Sequence, residues 1–355
     1  MEPFAAVPEQ PEARRLLTAA LADGPVHAYL LHGPRGVGKT TAALAFAGEL
    51  LGDTRRVVAR IHPDLVVVEA LGEMIRIDRI RDLHHDLHMR PFEGARRVYV
   101  VLDAHLLNED AADALLKDLE EPPSYATMVL VADELGPLPE TIRSRCQLVP
   151  FKRLSGAAVR AWIETESPGI DAAEAAALAR VASGRLDRAR RLLDPAGRER
   201  RDALLAAARG VYADGGVDVH EAAAVVLAAS TAAGTAARDR EEEATKELEL
   251  PEREREQRIK RVQRGAEREE LLASLDELAA WYRDLVVVAA GAEEATLHAD
   301  RLDDLRDDVA AGAATGAERA AGLVRESWRV LEELNVNPQL WLEALFVRLR
   351  RAFTA

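Results

Sequence analysis

The chain has 355 residues, 48% of them hydrophobic and 30% charged, with a formal net charge of -14. That length accommodates two or three domains. No run reaches the roughly 18 apolar residues of a membrane span, and so acidic a chain binds duplex DNA poorly by itself, because Lys and Arg neutralise phosphates in such contacts. The single cysteine, Cys146, excludes internal disulfides and a cysteine-rich zinc site and fits a reducing cytoplasm, and Met1-Glu2-Pro3-Phe4 lacks the basic start of a signal peptide.

The first strand-like segment is Ala28–Leu31, and Gly33-Pro34-Arg35-Gly36-Val37-Gly38-Lys39-Thr40 follows it directly. This is G-x-x-x-x-G-K-[ST], a phosphate-binding loop. Its glycines let backbone N–H groups approach a phosphate, and the next helix, predicted over Thr41–Leu51, points its positive end at the same anion. Lys39 supplies a point charge for the β- and γ-phosphates, and the Thr40 hydroxyl is placed to ligate Mg²⁺. The expected nucleotide-contacting set is therefore Gly33, Pro34, Arg35, Gly36, Val37, Gly38, Lys39, Thr40 and Thr41.

Further apolar runs follow at Leu65–Val68, Val98–Leu102 and Thr127–Ala132, with a fifth candidate at Cys146–Val149. Continuous apolar runs indicate strands buried on both faces, and their alternation with helical stretches indicates parallel βαβ units. Strands stop after Pro150, and the remainder reads as helix, with breaks expected at Gly215-Gly216, Gly234, Pro251, Gly291, Gly312, Gly316 and Asn337-Pro338. Arg238–Glu270 interleaves both signs of charge and reads as a solvated helical face rather than a nucleic-acid arm. Leu340, Leu342, Leu345, Phe346 and Leu349 form an apolar stripe expected to be buried, with Trp281-Tyr282 packing in the same bundle.

A phosphate-binding loop needs an acid from a second strand end for the Mg²⁺ shell. Arg97-Val98-Tyr99-Val100-Val101-Leu102-Asp103 offers Asp103, which otherwise would simply be a turn former after a strand.

His27-Ala28-Tyr29-Leu30-Leu31 running into the loop, Asp113-Ala114-Leu115-Leu116-Lys117-Asp118-Leu119-Glu120-Glu121-Pro122-Pro123, Thr141-Ile142-Arg143-Ser144-Arg145-Cys146 and Asn335-Val336-Asn337-Pro338-Gln339-Leu340 together resemble the clamp-loader branch of the AAA+ ATPases. His62-Pro63-Asp64, and Asp103 followed by Ala104, make the chain most similar to the delta-prime class within that branch. The resemblance implies an AAA+ α/β domain with a parallel sheet over 1–152, an all-α lid over 153–204 and an all-α collar over 205–355. It implies ATP and Mg²⁺ as ligands and a hetero-pentamer with delta and gamma/tau subunits of DNA polymerase III. That ring loads a sliding clamp on primer-template DNA in the cytoplasm, with no membrane involved. It also implies that Arg145 acts in trans, as an arginine finger reaching a neighbour's γ-phosphate, a task suited to a planar, permanently charged fork.

The chain departs from the pattern in several places. Hydrolysing members carry a glutamate after the strand-end aspartate to polarise water, where this chain has Ala104. The four-cysteine zinc module is missing between Leu51 and Ile61, so no zinc is expected. The arginine that follows a lid glycine by three residues is replaced after Gly184 by Asp187, although Arg188 could serve through a one-residue shift. The fourth strand ends in Asp133, which would repel a γ-phosphate. The expectation is ATP binding with weak or absent hydrolysis. The alternatives are a gamma/tau-type motor, with Glu109 or Asp110 as base, and a scaffold that needs no nucleotide.

Overall fold

The computed structural model describes all residues except 1–3, 5, 71–73, 134, 214, 215, 217, 247–251, 334–336 and 355. Asn335 and Val336 of the C-terminal motif, and the breaks expected at Gly215 and Pro251, lie outside the described residues. By mutual contact the chain forms two units, one comprising 1–159 with 184–187 and the other 160–183 with 188–355.

The first unit contains helix α1 (Pro11–Asp23), strand β1 (Ala28–His32), helices α2 (Lys39–Leu51) and α3 (Thr54–Val58), strand β2 (Leu65–Val68), helix α4 (Ile77–Leu87), strand β3 (Arg97–Val101), helix α5 (Glu109–Glu120), strand β4 (Ala126–Ala132), the short helix α6 (Glu140–Arg143) and strand β5 (Gln147–Pro150). The five strands are parallel in the order β2-β3-β4-β1-β5, with Leu30 of β1 opposite Leu130 of β4 and Leu148 of β5. All residues of β3 and β4 are buried, as the apolar runs Val98–Val101 and Met128–Ala132 require of strands covered on both faces. The two edge strands are only partly buried.

On one face Ile80, Leu83 and Leu87 of α4 and Ala111, Leu115 and Leu119 of α5 pack against Leu30, Tyr99, Val101, Met128 and Leu130. α2 carries Phe46 against the edge of the Tyr29 ring, with centroids 4.9 Å apart. Asn108 caps α5 by accepting from the Ala111 N–H at 3.1 Å, and Glu109 and Asp110 complement the positive end of the helix dipole on its exposed first turn.

β3 starts one residue before the predicted run, at Arg97, which is 2% exposed. Its guanidinium is held through Nη2 by Asp86 at 2.6 Å and lies over the ring of Phe92, which partly offsets burial of the charge, while Nε and Nη1 are buried without a hydrogen-bond partner. His62-Pro63-Asp64 has a structural explanation in this fold. Asp64 is fully buried, and its carboxylate accepts from the N–H groups of Phe92, Glu93 and Gly94 at 2.6, 2.9 and 3.2 Å. It thereby pins the loop that enters β3.

Helices α7 (Gly156–Glu166), α8 (Ala172–Ala182), α9 (Leu186–Leu193), α10 (Pro195–Gly210), α11 (Val219–Thr245), α12 (Glu252–Ala289), α13 (Leu302–Ala310), α14 (Ala317–Glu333) and α15 (Pro338–Thr354) complete the chain, and no strand follows Pro150 among the described residues. In the second unit the 27-residue α11 and the 38-residue α12 run antiparallel, joined by a bond from Ser230 Oγ to the Glu267 carbonyl at 2.8 Å and by an Arg258–Glu241 ion pair. Gly234 was expected to break the helix but lies inside α11. A Cβ there would sit 2.4 Å from Glu267 Cγ, so this glycine permits close helix approach instead of interrupting the helix.

Trp281, Tyr282, Leu285, Leu342, Leu345, Phe346 and Leu349 share one core. Leu340, placed in the same stripe by its spacing, is 66% exposed. It falls on the opposite side of the first turn of α15, where Asn337 accepts from its N–H at 3.2 Å. No described helix is long and apolar enough to cross a membrane.

Candidate nucleotide-binding site

The carboxyl ends of β1, β3 and β4 meet where the strand order reverses, the usual ligand position in an open parallel sheet. The loop after β1 carries three glycines at φ of 140° (Gly33), 74° (Gly36) and 95° (Gly38). A Cβ on Gly33 would lie 2.2 Å from the Phe151 carbonyl oxygen, and one on Gly36 would lie 1.8 Å from Asp187 Oδ1. Both positions therefore demand glycine for space as well as for φ. α2 begins at Lys39, two residues before the sequence suggested, so Thr40 and Thr41 occupy its exposed first turn.

Lys39 is 4% exposed. Its Nζ donates to the carbonyls of Gly33 at 2.7 Å and Pro34 at 2.5 Å and pairs with Asp133 Oδ1 at 2.8 Å. Burial lowers its pKa below the usual lysine value, against the upward pull of Asp133, Asp103 and Asp187. His32 at the end of β1 is likewise lowered, by burial and by Lys39.

Asp103 stands two residues past β3 in a left-handed conformation, with φ at 53°. The next residue, Ala104, is fully buried and packs into the sheet core. The Asp133 N–H donates to His105 Nδ1 at 3.2 Å, and one ligand atom from each of Asp103, His105 and Asp133 lies within 4.8 Å of the others. These three groups could hold a divalent cation. His105, a neighbour in the sequence of Asp103, was not anticipated; an imidazole two residues past the strand-end acid was the available signal.

Residues 184–187 complete this face of the first unit. The Leu186 N–H donates to the Gly36 carbonyl at 2.7 Å. Asp187 pairs with Arg185 Nη2 at 2.8 Å and Arg35 Nε at 3.7 Å. The acid three residues after Gly184 thus lies against the loop itself. The Arg188 guanidinium is bound in the second unit to Glu277, a carboxylate that Arg201 also approaches at 2.6 Å.

The loop fits a phosphate in backbone geometry, and the carboxylates beyond it fit a divalent ion. The charges fit a triphosphate less well, because Asp133 already occupies Lys39 and Asp187 already engages Arg35.

Arg145, just past α6, is at the surface with 34% of its side chain exposed. It donates to the Thr141 carbonyl at 2.9 Å and to Glu120 Oε1 at 2.5 Å. Glu120 ends α5, so two of the sequence motifs meet there. Cys146 is partly buried against the core, and burial pushes its thiol up to about 12, which makes it unreactive.

Residues 9–155 match the family described as DNA polymerase III, delta subunit. The DNA polymerase III subunit delta' of Bacillus subtilis (strain 168) is 32% identical over 163 residues, covering 42% of this chain and 50% of that protein. The subunit tau of the same organism is 31% identical over 187 residues, covering 48% of this chain and 33% of that protein. The chain therefore spans a third to a half of the length of these curated relatives. A solved DNA polymerase III gamma subunit-related protein from Thermotoga maritima is 16% identical with a TM-score of 0.45, covering 96% of this chain and 99% of that one. Over residues 9–155 the chain is thus similar to the family described as DNA polymerase III, delta subunit, and over part of its length to the delta', tau and gamma subunits of DNA polymerase III.

Proposed function

We propose that the chain is a delta-prime-type subunit that binds a Mg²⁺-nucleotide, does not hydrolyse it, and serves as a fixed member of a five-subunit clamp-loader ring in the cytoplasm. In this reading residues 1–152, 153–204 and 205–355 act as nucleotide domain, lid and collar. The ring, with delta and gamma/tau neighbours, loads the sliding clamp on primer-template DNA.

The observation that carries the reading is a complete phosphate-binding loop beside a buried Ala104. The loop has the glycine conformations and the lysine that phosphate binding needs. A hydrolysing site also needs a group that orients water, and the position after Asp103 holds a methyl packed in the core. Gly33 to Thr41 would surround the phosphates, and Thr40 with Asp103 would hold Mg²⁺. The ion, when bound, neutralises phosphate charge; the chain's own residues position the ligand and supply no base.

Arg145 is half-buried at the surface and oriented by Glu120, which suits a guanidinium that acts on a neighbour's nucleotide. Arg145→Ala should lower the ATPase of the reconstituted complex about a thousandfold or more at the adjacent site. It should leave complex assembly and the isolated chain's background turnover unchanged. Full ATPase with the variant would remove the arginine-finger role.

A second reading, a scaffold that uses no nucleotide, is favoured by the Asp133 carboxylate on Lys39. Lys39→Ala separates the two: undiminished clamp loading supports the scaffold, and impaired loading supports nucleotide binding.

A further inference from the structure

We propose that His84 on α4 and His88 at its C-terminal end, supported by Asp118 on α5, form a surface site for a borderline divalent cation of the Zn²⁺ class, separate from the nucleotide site. His84 lies in the last turn of α4 and His88 is the residue that follows its end, still in a right-handed helical conformation, so the two, four apart, share a face. Their ring centroids are 4.8 Å apart and the ring planes stand at 88°. Two imidazoles on one Zn²⁺, each at about 2.0–2.1 Å, have ring centres roughly 5 Å apart, so the observed ring spacing is that of a chelating pair.

Asp118 supplies the support such a site requires. It is 3% exposed, its Oδ1 lies 2.5 Å from His84 Nδ1, and its Oδ2 is buried without a hydrogen-bond partner. A carboxylate only accepts, so Nδ1 carries the ring proton and Nε2 keeps its lone pair for the metal. A carboxylate behind a ligating histidine fixes the tautomer and raises the basicity of the ligand. His84 is half exposed, at 47% of its side chain, and His88 is exposed, so an ion has access and water completes its coordination. Imidazole ligands select Zn²⁺, Ni²⁺ or Cu²⁺ over Mg²⁺. The expectation of no zinc rested on cysteine and did not reach histidine.

The cluster of Asp103, His105 and Asp133 has the opposite proton arrangement. His105 Nδ1 accepts from the Asp133 N–H, which places the ring proton on Nε2. His105 could therefore ligate a cation only by giving up the bond from the Asp133 N–H. A bound ion at His84 and His88 would instead clip α4 to α5 through the His84–Asp118 bond.

The test is calorimetric titration of ZnCl₂ into the untagged full-length chain without nucleotide, with melting followed in parallel. One equivalent of Zn²⁺ should bind and raise the melting temperature. His88→Ala, a surface change that leaves the core intact, should weaken this equivalent at least tenfold and abolish the melting shift. Asp118→Asn should weaken it about 10–100-fold. His105→Ala should leave it unchanged. Absence of Zn²⁺ uptake, uptake indifferent to His88→Ala, or uptake lost with His105→Ala would each overturn the proposal. None of these results bears on Mg²⁺-nucleotide binding, which is read separately.

Discussion

At Lys39 three contacts satisfy the ammonium before any ligand arrives: two loop carbonyls and Asp133. In the proposed function a phosphate oxygen must replace the carboxylate, so Asp133 would weaken nucleotide binding through the charge it places there. Asp133→Asn should raise MgATP affinity about three- to tenfold, measured by calorimetry on the isolated chain; unchanged or weaker binding would mean that the pair is irrelevant to the ligand. The sequence marks which residues make the loop, and it carries the expectation that Asp133 would oppose a γ-phosphate. It did not tell that Asp133 reaches Lys39, because that pairing depends on β4 lying beside β1 in the sheet. Asp187 was legible as a misplaced acid, but not as a neighbour of Gly36, since 150 residues of chain separate them.

Among the elements, the strands were legible to within a residue because continuous valine and leucine runs fit only a doubly covered sheet. Boundaries shifted where side chains compensated for unusual burial, as Asp86 does for Arg97 at the start of β3. Helix interruptions were less legible. Gly234 reads as a breaker by itself, yet it is kept helical by the close approach of α12. The loop before β3 hangs on Asp64, whose three accepted N–H bonds and the nearby Arg97 outweigh burial and lower its pKa. Asp64→Ala should cost about 3 kcal/mol of unfolding free energy, read from denaturant melts, because three buried N–H groups lose a charged acceptor. A loss below about 0.5 kcal/mol would mean that the loop is held by other contacts.

In the second unit His298 is fully buried between Asp284, at 2.8 Å from Nδ1, and Glu277, at 3.1 Å from Nε2. Burial opposes charge on the ring, but the two carboxylates outweigh it and raise the pKa above its ordinary 6.5. The raised value stabilises the fold fully below pH 6.5, and this contribution is lost as pH rises through the folded value. Glu277 behaves conversely. Burial alone would raise it, yet Arg188, His298 and Arg201 hold it well below 4.5, so its contribution is present above pH 4.5 and lost as pH falls through the folded value. The chain should therefore melt highest between about pH 4.5 and 6.5. His298→Gln should flatten the decline at alkaline pH, and an unaltered profile in that variant would contradict the assignment. None of this network was legible in the sequence, because its members lie on four separate segments between Arg188 and His298.

For the molecule as a whole, the central claim is that it grips a nucleotide without the means to cleave it. The most direct measurement is a single-turnover assay in which excess isolated chain is mixed with γ-labelled MgATP, and bound nucleotide and released phosphate are followed together. The account predicts bound, intact ATP with phosphate release at the rate of the Lys39→Ala control. Release well above that control, or no retained nucleotide at all, would contradict it.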